Sequence, residues 1–295
     1  MAYLRWLHKT WKYVWTFIGV LVLAVAVICV AGFGLLQRKP VKTQIASELQ
    51  ERFNTNYQGM LHIGSLDGLL PFHVVLEDVK MYPDSSSVDP VFTTDSIASG
   101  IDVWSLLQNR LYVNYLDIKE PRAVIDGKDV ASFGMAFTPK KRKNSSGFAE
   151  TGELPFQIII PAVHVFDGKV VFRNLPPQFT QQAGLRTDSL EMERVNLNMF
   201  FEFTNEQRFA DIDRLAFSAP QLVAEPLQLN GQLYNDDRFL ELNALNLKMG
   251  NSFVKFTGEA DGVNVLEGAV KEQLFASVLS LRLTDFLIEP DVAQK

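Results

Sequence analysis

Side chains suited to acid–base or metal chemistry are scattered along this chain of 295 residues. The four histidines are His8, His62, His73 and His164. No two of them have the i, i+4 or short-loop spacing that metal sites use. Asp126, Asp167 and Asp261 each precede a glycine, which is the ordinary signature of a turn. We therefore predict no enzyme, metal site or cofactor, although a pair of carboxylates brought together only by the fold stays open.

A basic run, Lys140–Lys143, lies in the Ser- and Gly-containing stretch Thr138–Gly152. This composition predicts an exposed loop over residues 138–152 and a candidate boundary between two sheet segments. The run is either solvated or in contact with anionic lipid headgroups or an acidic partner. We predict no nucleic-acid partner, because the apolar segment described next contradicts a nuclear signal.

An uncharged apolar run of 23 residues extends from Val14 to Leu36. At about 1.5 Å per helical residue it spans the roughly 30 Å of bilayer hydrocarbon. It exceeds the roughly 7–15 apolar residues of a cleaved signal peptide, so a retained transmembrane helix at 14–36 is favoured. The only cysteine, Cys29, lies in this run, and no disulfide forms within the chain.

The orientation of this helix is not decided by flanking charge, because three basic residues lie on each side. They are Arg5, Lys9 and Lys12 before it, and Arg38, Lys39 and Lys42 after it. All 34 acidic residues follow the helix, and long domains translocate largely regardless of charge. We therefore predict a cytoplasmic tail at 1–13 and the bulk of the chain on the other side of the membrane.

A short amphipathic helix is predicted directly after the membrane segment, within residues 37–57. Ile45, Leu49 and Phe53 follow at i, i+4 and i+8, which places them on one face. This juxtamembrane helix is either a lever at the membrane surface or a cap on the first strands.

From Gln58 onward the apolar residues recur with period two, which predicts half-exposed strands in a first β segment (58–137) and a second one (153–295). The alternating positions singled out as one wall are Leu197, Met199, Phe201, Phe203, Leu227, Leu229, Leu245, Leu247, Val254 and Phe256. The predicted turns are Asp126-Gly127, Asp167-Gly168, Asn230-Gly231, Asn235–Asp237, Gly250-Asn251 and Asp261-Gly262. With no helix long enough for a parallel crossover, the sheet is expected to be largely antiparallel. Residues 268–283 fit either a helix or a strand.

The stretch from His62 to Ile97 resembles the amino-terminal region of the AsmA/TamB-like family of envelope proteins. The residues that carry the likeness are Ile63-Gly64, Leu66, Gly68-Leu69, Pro71, Val75-Leu76, Asp78-Val79, Ile97, Ile101, Leu106-Leu107, Leu111, Val113, Leu116, Ile118 and Pro121. The segment from Leu240 to Gly262 is similar to the later strand pairs of that family. The resemblance implies an inner-membrane anchor, a long periplasmic β-groove, and a role in phospholipid movement or outer-membrane protein assembly. It implies no catalytic residues.

Residue physics supports the same expectation, because an apolar sheet face must be covered, closed on itself or left facing something greasy. A β-sandwich with packed inner faces is the competing interpretation. We predict a mainly β protein: one transmembrane helix, the juxtamembrane helix, and an elongated, curled antiparallel sheet forming a groove for phospholipid acyl chains. An anchored scaffold that adds strands to outer-membrane β-barrel proteins is the alternative function.

Overall fold

The computed structural model describes residues 33–84, 86–108, 110–126, 136, 140, 157–175, 177, 188–204, 207–236, 239–262 and 278–287. The chain divides into two compact units, Met1–Ile45 and Ala46–Lys295. The second unit is mainly β, as predicted, and contains a single sheet of twelve strands in its described part. The sandwich expectation of two separate sheets is not met there.

The strands are short relative to the chain, most having ten to twelve residues. They are β1 (Met60–Asp67), β2 (His73–Tyr82), β3 (Phe92–Asp102), β4 (Arg110–Lys119), β5 (Arg122–Asp126), β6 (Gln157–Arg173), β7 (Leu190–Phe203), β8 (Gln207–Ser218), β9 (Leu227–Asp236), β10 (Phe239–Met249), β11 (Ser252–Asp261) and β12 (Val278–Leu287). A 3₁₀ helix, Ser105–Gln108, lies between β3 and β4. Of the ambiguous tail at 268–283, the part from Val278 onward is strand β12, and residues 268–277 lie outside the described residues.

The strand order along the sheet is β1-β2-β3-β4-β6-β7-β8-β9-β10-β11-β12, with β5 beside β3 and β6. Antiparallel pairing dominates, as the alternation predicts. The exception is β6, which pairs in parallel with β4 and then with β5. Seventeen residues make β6 long enough to carry both short strands end to end. The predicted boundary at 138–152 does not divide the sheet, because β4 and β6 pair across it.

Helix α1 (Lys39–Asn56) falls where the juxtamembrane helix is predicted. Its residues from Ala46 onward hold the first strand: Gln50 Oε1 accepts from the backbone N–H of Ile63 at 3.1 Å, and Asn54 Oδ1 accepts from that of Leu61 at 2.6 Å. Lys140 donates from its backbone N–H to Asn56 O at 2.7 Å and from Nζ to Asn54 O at 2.6 Å. A cation at a helix C-terminus satisfies carbonyls that lack a helical partner.

Two predicted turns are wrong, because Asp167-Gly168 and Asn230-Gly231 lie inside β6 and β9. Asp167 has φ 51° and Gly231 has φ 139°, and the pairing register shifts at both positions. The same residue types that permit positive φ in a turn also permit a β-bulge. Gly250-Asn251 does separate β10 from β11, as predicted, whereas Asn235 and Asp236 of the predicted turn at 235–237 are still paired residues of β9.

Buried apolar residues lie on β1 and β2 and also farther along the sheet, at Val171 and Ala260 for example. Val79 is 2% exposed and Met81 8%, and Met81 packs with Val91 and Ala136 in a small core. Phe53 of α1 packs against this core. The helix therefore covers the first strands, which is one of the two roles that the sequence leaves open.

Several predictions lie outside the described residues: the cytoplasmic tail, residues 14–32 of the membrane segment, Cys29, and all of the loop at 138–152 except Lys140. Residues 33–36 are helical. Among the helices that the structure describes, none combines the length and apolar character required to cross a bilayer.

Candidate functional site: a continuous apolar face of the sheet

One apolar residue from each of eleven neighbouring strands falls into a single line across the sheet. Residues paired directly across a ladder project from the same face. This line, the apolar row, consists of Leu66, Leu76, Ile97, Ile118, Val165, Leu197, Leu215, Leu229, Leu247, Val254 and Phe286. At about 4.8 Å between strands it extends roughly 48 Å.

The apolar row has apolar neighbours on the same face, so the surface is more than one residue wide. A second line crosses from β6 to β12 through Ile160, Phe201, Ala210, Leu233, Leu242, Gly258 and Leu281. No member of either line is charged. A surface of this kind excludes water and supplies no group for acid–base chemistry.

All ten wall residues predicted from sequence lie on this face. Leu197, Leu229, Leu247 and Val254 are members of the apolar row itself. The register places the others beside it: Met199 pairs with Ile212, Leu245 with Phe256, and Leu227 with Met249. Phe203 pairs with Ile158 at the end of β7. The structure therefore brings together residues that are up to 59 positions apart in sequence, from Leu197 to Phe256.

The two ends of the apolar row differ in exposure. Leu66 is buried, the next nine members are half-buried, and Phe286 is 59% exposed. On the same strand Leu281 and Leu283 are 64% and 54% exposed. Large apolar side chains at this exposure are not packed against another layer of the described protein.

Leu245 is the one buried wall residue, and Gly231 explains why. A Cβ atom at Gly231 would lie 2.7 Å from Leu245 Cδ2 and 2.8 Å from Leu245 Cα. The missing side chain lets β9 and β10 approach closely at their paired bulges. Asn230-Gly231, predicted to be a turn, is therefore a position at which β9 packs closely against β10.

The helix residues predicted as a shared face are divided by the structure. Phe53 packs against the core at β2 and β3, whereas Leu49 is exposed. The positions that contact β1 are Gln50 and Asn54, which bind it through side-chain amides. Ile45 is half-buried within the first unit.

The opposite face combines polar and charged residues with aromatic ones such as Phe209 and Tyr234, and it carries ion pairs. Lys169 Nζ lies 2.5 Å from Glu191 Oε2 and 3.1 Å from Glu193 Oε1. Hydrogen bonding to Lys169 lowers the pKa of Glu191 from its ordinary value, and hydrogen bonding to Glu191 raises the pKa of Lys169. Such partly solvated pairs orient the strands without adding much stability.

Two histidines that look isolated in sequence have partners in the fold. His164 Nδ1 lies 2.7 Å from Asp117 Oδ1, and His73 Nδ1 lies 2.5 Å from Tyr115 Oη. Each pair joins residues more than forty positions apart. No local spacing signal exists for such contacts, because they depend on the pairing of β4 with β6 and β3.

No protein-family model matches this chain, and neither does any curated protein. The likeness to the AsmA/TamB-like family therefore stays a prediction.

Proposed function

We propose that this protein is a single-pass inner-membrane protein whose periplasmic sheet shields phospholipid acyl chains during transport toward the outer membrane. The observation that carries the proposal is the apolar row, which continues without a polar interruption from Leu66 to Phe286. Its half-exposed state distinguishes it from a packed core. Curling of the sheet around this face turns it into a groove, and β-bulges in β6 to β10 favour such bending.

The energetics match this task. A two-chain lipid exposes about thirty methylene groups, and at roughly 0.8 kcal/mol each their contact with water costs near 25 kcal/mol. A wall of aliphatic and aromatic side chains removes most of that cost without any specific contact. The roughly 48 Å extent of the apolar row also exceeds the length of one acyl chain, so successive lipids fit along it.

The placement of the predicted anchor supports the direction of entry. The apolar run Val14–Leu36 precedes α1 by two residues, and β1 follows α1 after three residues. The first strand of the apolar row is therefore the one nearest in the chain to the predicted membrane segment.

The test compares charged substitutions on the two faces of the same strands. Leu247→Arg and Phe201→Arg place a charge on the apolar face, whereas Asn243→Arg and Glu202→Arg place it on the polar face. We expect the first pair to lower lipid transfer between vesicles by about tenfold or more, because an unpaired charge obstructs acyl chains. The second pair is expected to stay within about twofold of the unsubstituted protein, as charge on a solvated face costs little.

The full chain is reconstituted in donor vesicles, and mass spectrometry of copurified lipid gives a second readout. Circular dichroism verifies that each variant keeps its sheet. Equal transfer by Leu247→Arg and Asn243→Arg would show that the apolar face is not the lipid path.

A second candidate is an anchored scaffold that adds strands to outer-membrane β-barrel proteins. It is favoured by β12, which is the last strand in the order of the sheet. Within the described residues β12 pairs only with β11, so its other edge is open to a further strand. Edge strands are templates for strand addition. Stable copurification with a β-barrel protein, without bound lipid, would favour this function over lipid transport.

A further inference from the structure

The polar face of the sheet carries an ordered line of its own, one position along from the apolar row. It runs through eight neighbouring strands from β4 to β12. This polar row consists of Asp117, His164, Asn198, Arg214, Asn230, Asn246, Lys255 and Asp285. Asn230 lies opposite a two-residue bulge, Asp213-Arg214, and the other neighbours pair directly.

Two recesses lie on the polar row and share Arg214. One has a volume of about 330 Å³ and is lined by His164, Asn196, Asn198 and Arg214 together with the apolar residues Val165, Phe166, Leu197 and Ala216. The second has a volume of about 300 Å³ and is lined by Gln228, Asn230, Asn246 and Lys248 with Asp213.

One polar atom in the second recess is left unsatisfied. Asn246 Oδ1 is enclosed and has no hydrogen-bond partner among the described residues. An enclosed carbonyl oxygen without a donor is costly, so a ligand that donates a hydrogen bond here removes a penalty as well as adding a contact.

We propose that the polar row binds a linear, uncharged polysaccharide strand laid across the β-strands. The row itself contains two acidic and two basic residues, and the second recess adds one of each, so the site has no charge preference for an anion. Asparagine and glutamine amides present a donor and an acceptor together, which suits ligands rich in hydroxyl groups.

The geometry of the sheet fits a repeating ligand. Neighbouring strands are about 4.8 Å apart, which is close to the advance of one β-linked pyranose in an extended chain. Each strand therefore offers a polar side chain to successive sugar units over about 34 Å. Phe166 is exposed in the first recess, and its ring centroid lies 5.8 Å from that of His164. Its aromatic ring offers a flat face against which a pyranose ring can pack.

The experiment uses the full chain in lipid nanodiscs and cellohexaose as the probe, with binding measured by isothermal titration calorimetry. We expect saturable binding that Arg214→Ala and Asn246→Ala weaken by about tenfold, as expected when hydrogen bonds to a ligand are lost. Matched controls are Arg282→Ala and Asn243→Ala, which remove the same side-chain types away from the polar row and are expected to stay within about twofold. Asn198→Ala, at an exposed position, provides a second amide variant should Asn246→Ala fail to fold.

Absence of saturable cellohexaose binding would overturn the proposal. So would equal losses in Asn198→Ala and Asn243→Ala, or binding of inorganic phosphate that depends on Arg214 in place of cellohexaose binding. Lipid transfer by these variants is expected to be unchanged, so this result is independent of the function proposed for the apolar face.

Discussion

The two ends of the sheet treat the same apolar alternation differently. At β1 and β2 the apolar side chains of Ile63, Val79 and Met81 are almost fully buried, and Met81 packs with Ala136 and with Phe53 of α1. At β10 to β12 most large apolar residues, such as Leu247, Val254 and Phe286, are half-buried or exposed, whereas Leu245 and Ala260 are buried. Alternation in sequence therefore specifies an apolar face, whereas packing against another element determines which part of that face is buried.

The largest expected difference between the two regions is in how much the loss of a large apolar side chain lowers the free energy of unfolding. Met81→Ala is expected to lower the free energy of unfolding by about 3 kcal/mol, because it leaves a cavity in a packed site. Leu283→Ala, at a position that is more than half exposed, is expected to cost under about 1 kcal/mol. Urea denaturation of the full chain followed by circular dichroism measures both, and equal costs would mean that β12 is covered as well as β2.

A smaller effect tests whether the less buried region still contains tightly packed sites. Gly231→Ala is expected to cost about 2 kcal/mol, because the residue has positive φ and its new Cβ would overlap Leu245. Gly262→Ala is the control: it also has positive φ, but no atom lies within 4 Å of the added Cβ, so about 1 kcal/mol is expected. Indistinguishable thermal unfolding of the two variants would contradict close approach of β9 and β10.

The smallest effect concerns the charged cluster on β6 and β7, between the two regions. The pKa of Glu191 is lowered in the folded protein, so its stabilising contribution is present above its ordinary value of 4.5 and is lost as pH falls below it. Glu191→Gln removes this carboxyl, so the melting temperature of the variant is expected to fall less between neutral pH and about pH 3.5. The effect is expected to be small, because the ion pair with Lys169 is partly solvated. Glu202→Gln is the control, because Glu202 lies on the same face but does not contact Lys169. An identical change in the pH dependence of the melting temperature in both variants would show that the ion pair with Lys169 is not its cause.

The apolar face was largely predictable from sequence, because stretches of period-two alternation remain in most strands that carry it, on either side of their bulges. Leu197, Leu229 and Leu247 are assigned to one wall from pattern alone, and the structure places them in one line. β8 is harder to recognise, since the bulge at Asp213-Arg214 interrupts its alternation and shifts the phase between Ile212 and Leu215.

The remaining differences have a common physical origin in long-range pairing. Gly231 and Asp167 permit positive φ, and only the neighbouring strand determines whether that freedom produces a turn or a bulge. The sequence pattern did not identify the amides of Gln50 and Asn54, which bind β1 while Leu49 is exposed. Polar contacts of this kind leave no periodic apolar signal.

The double pairing of β6 has a consequence for how the chain reaches its native state. From β1 to β4 and from β6 to β11, each strand pairs with the next in sequence, so these ladders assemble by closing short loops. Joining β6 to β4 instead closes a loop of 47 residues, as between Asp117 and His164. Loop closure of this length carries a greater entropic cost and slows folding. We therefore infer that two locally formed hairpin arrays dock late, and that the formation of this junction sets the folding rate.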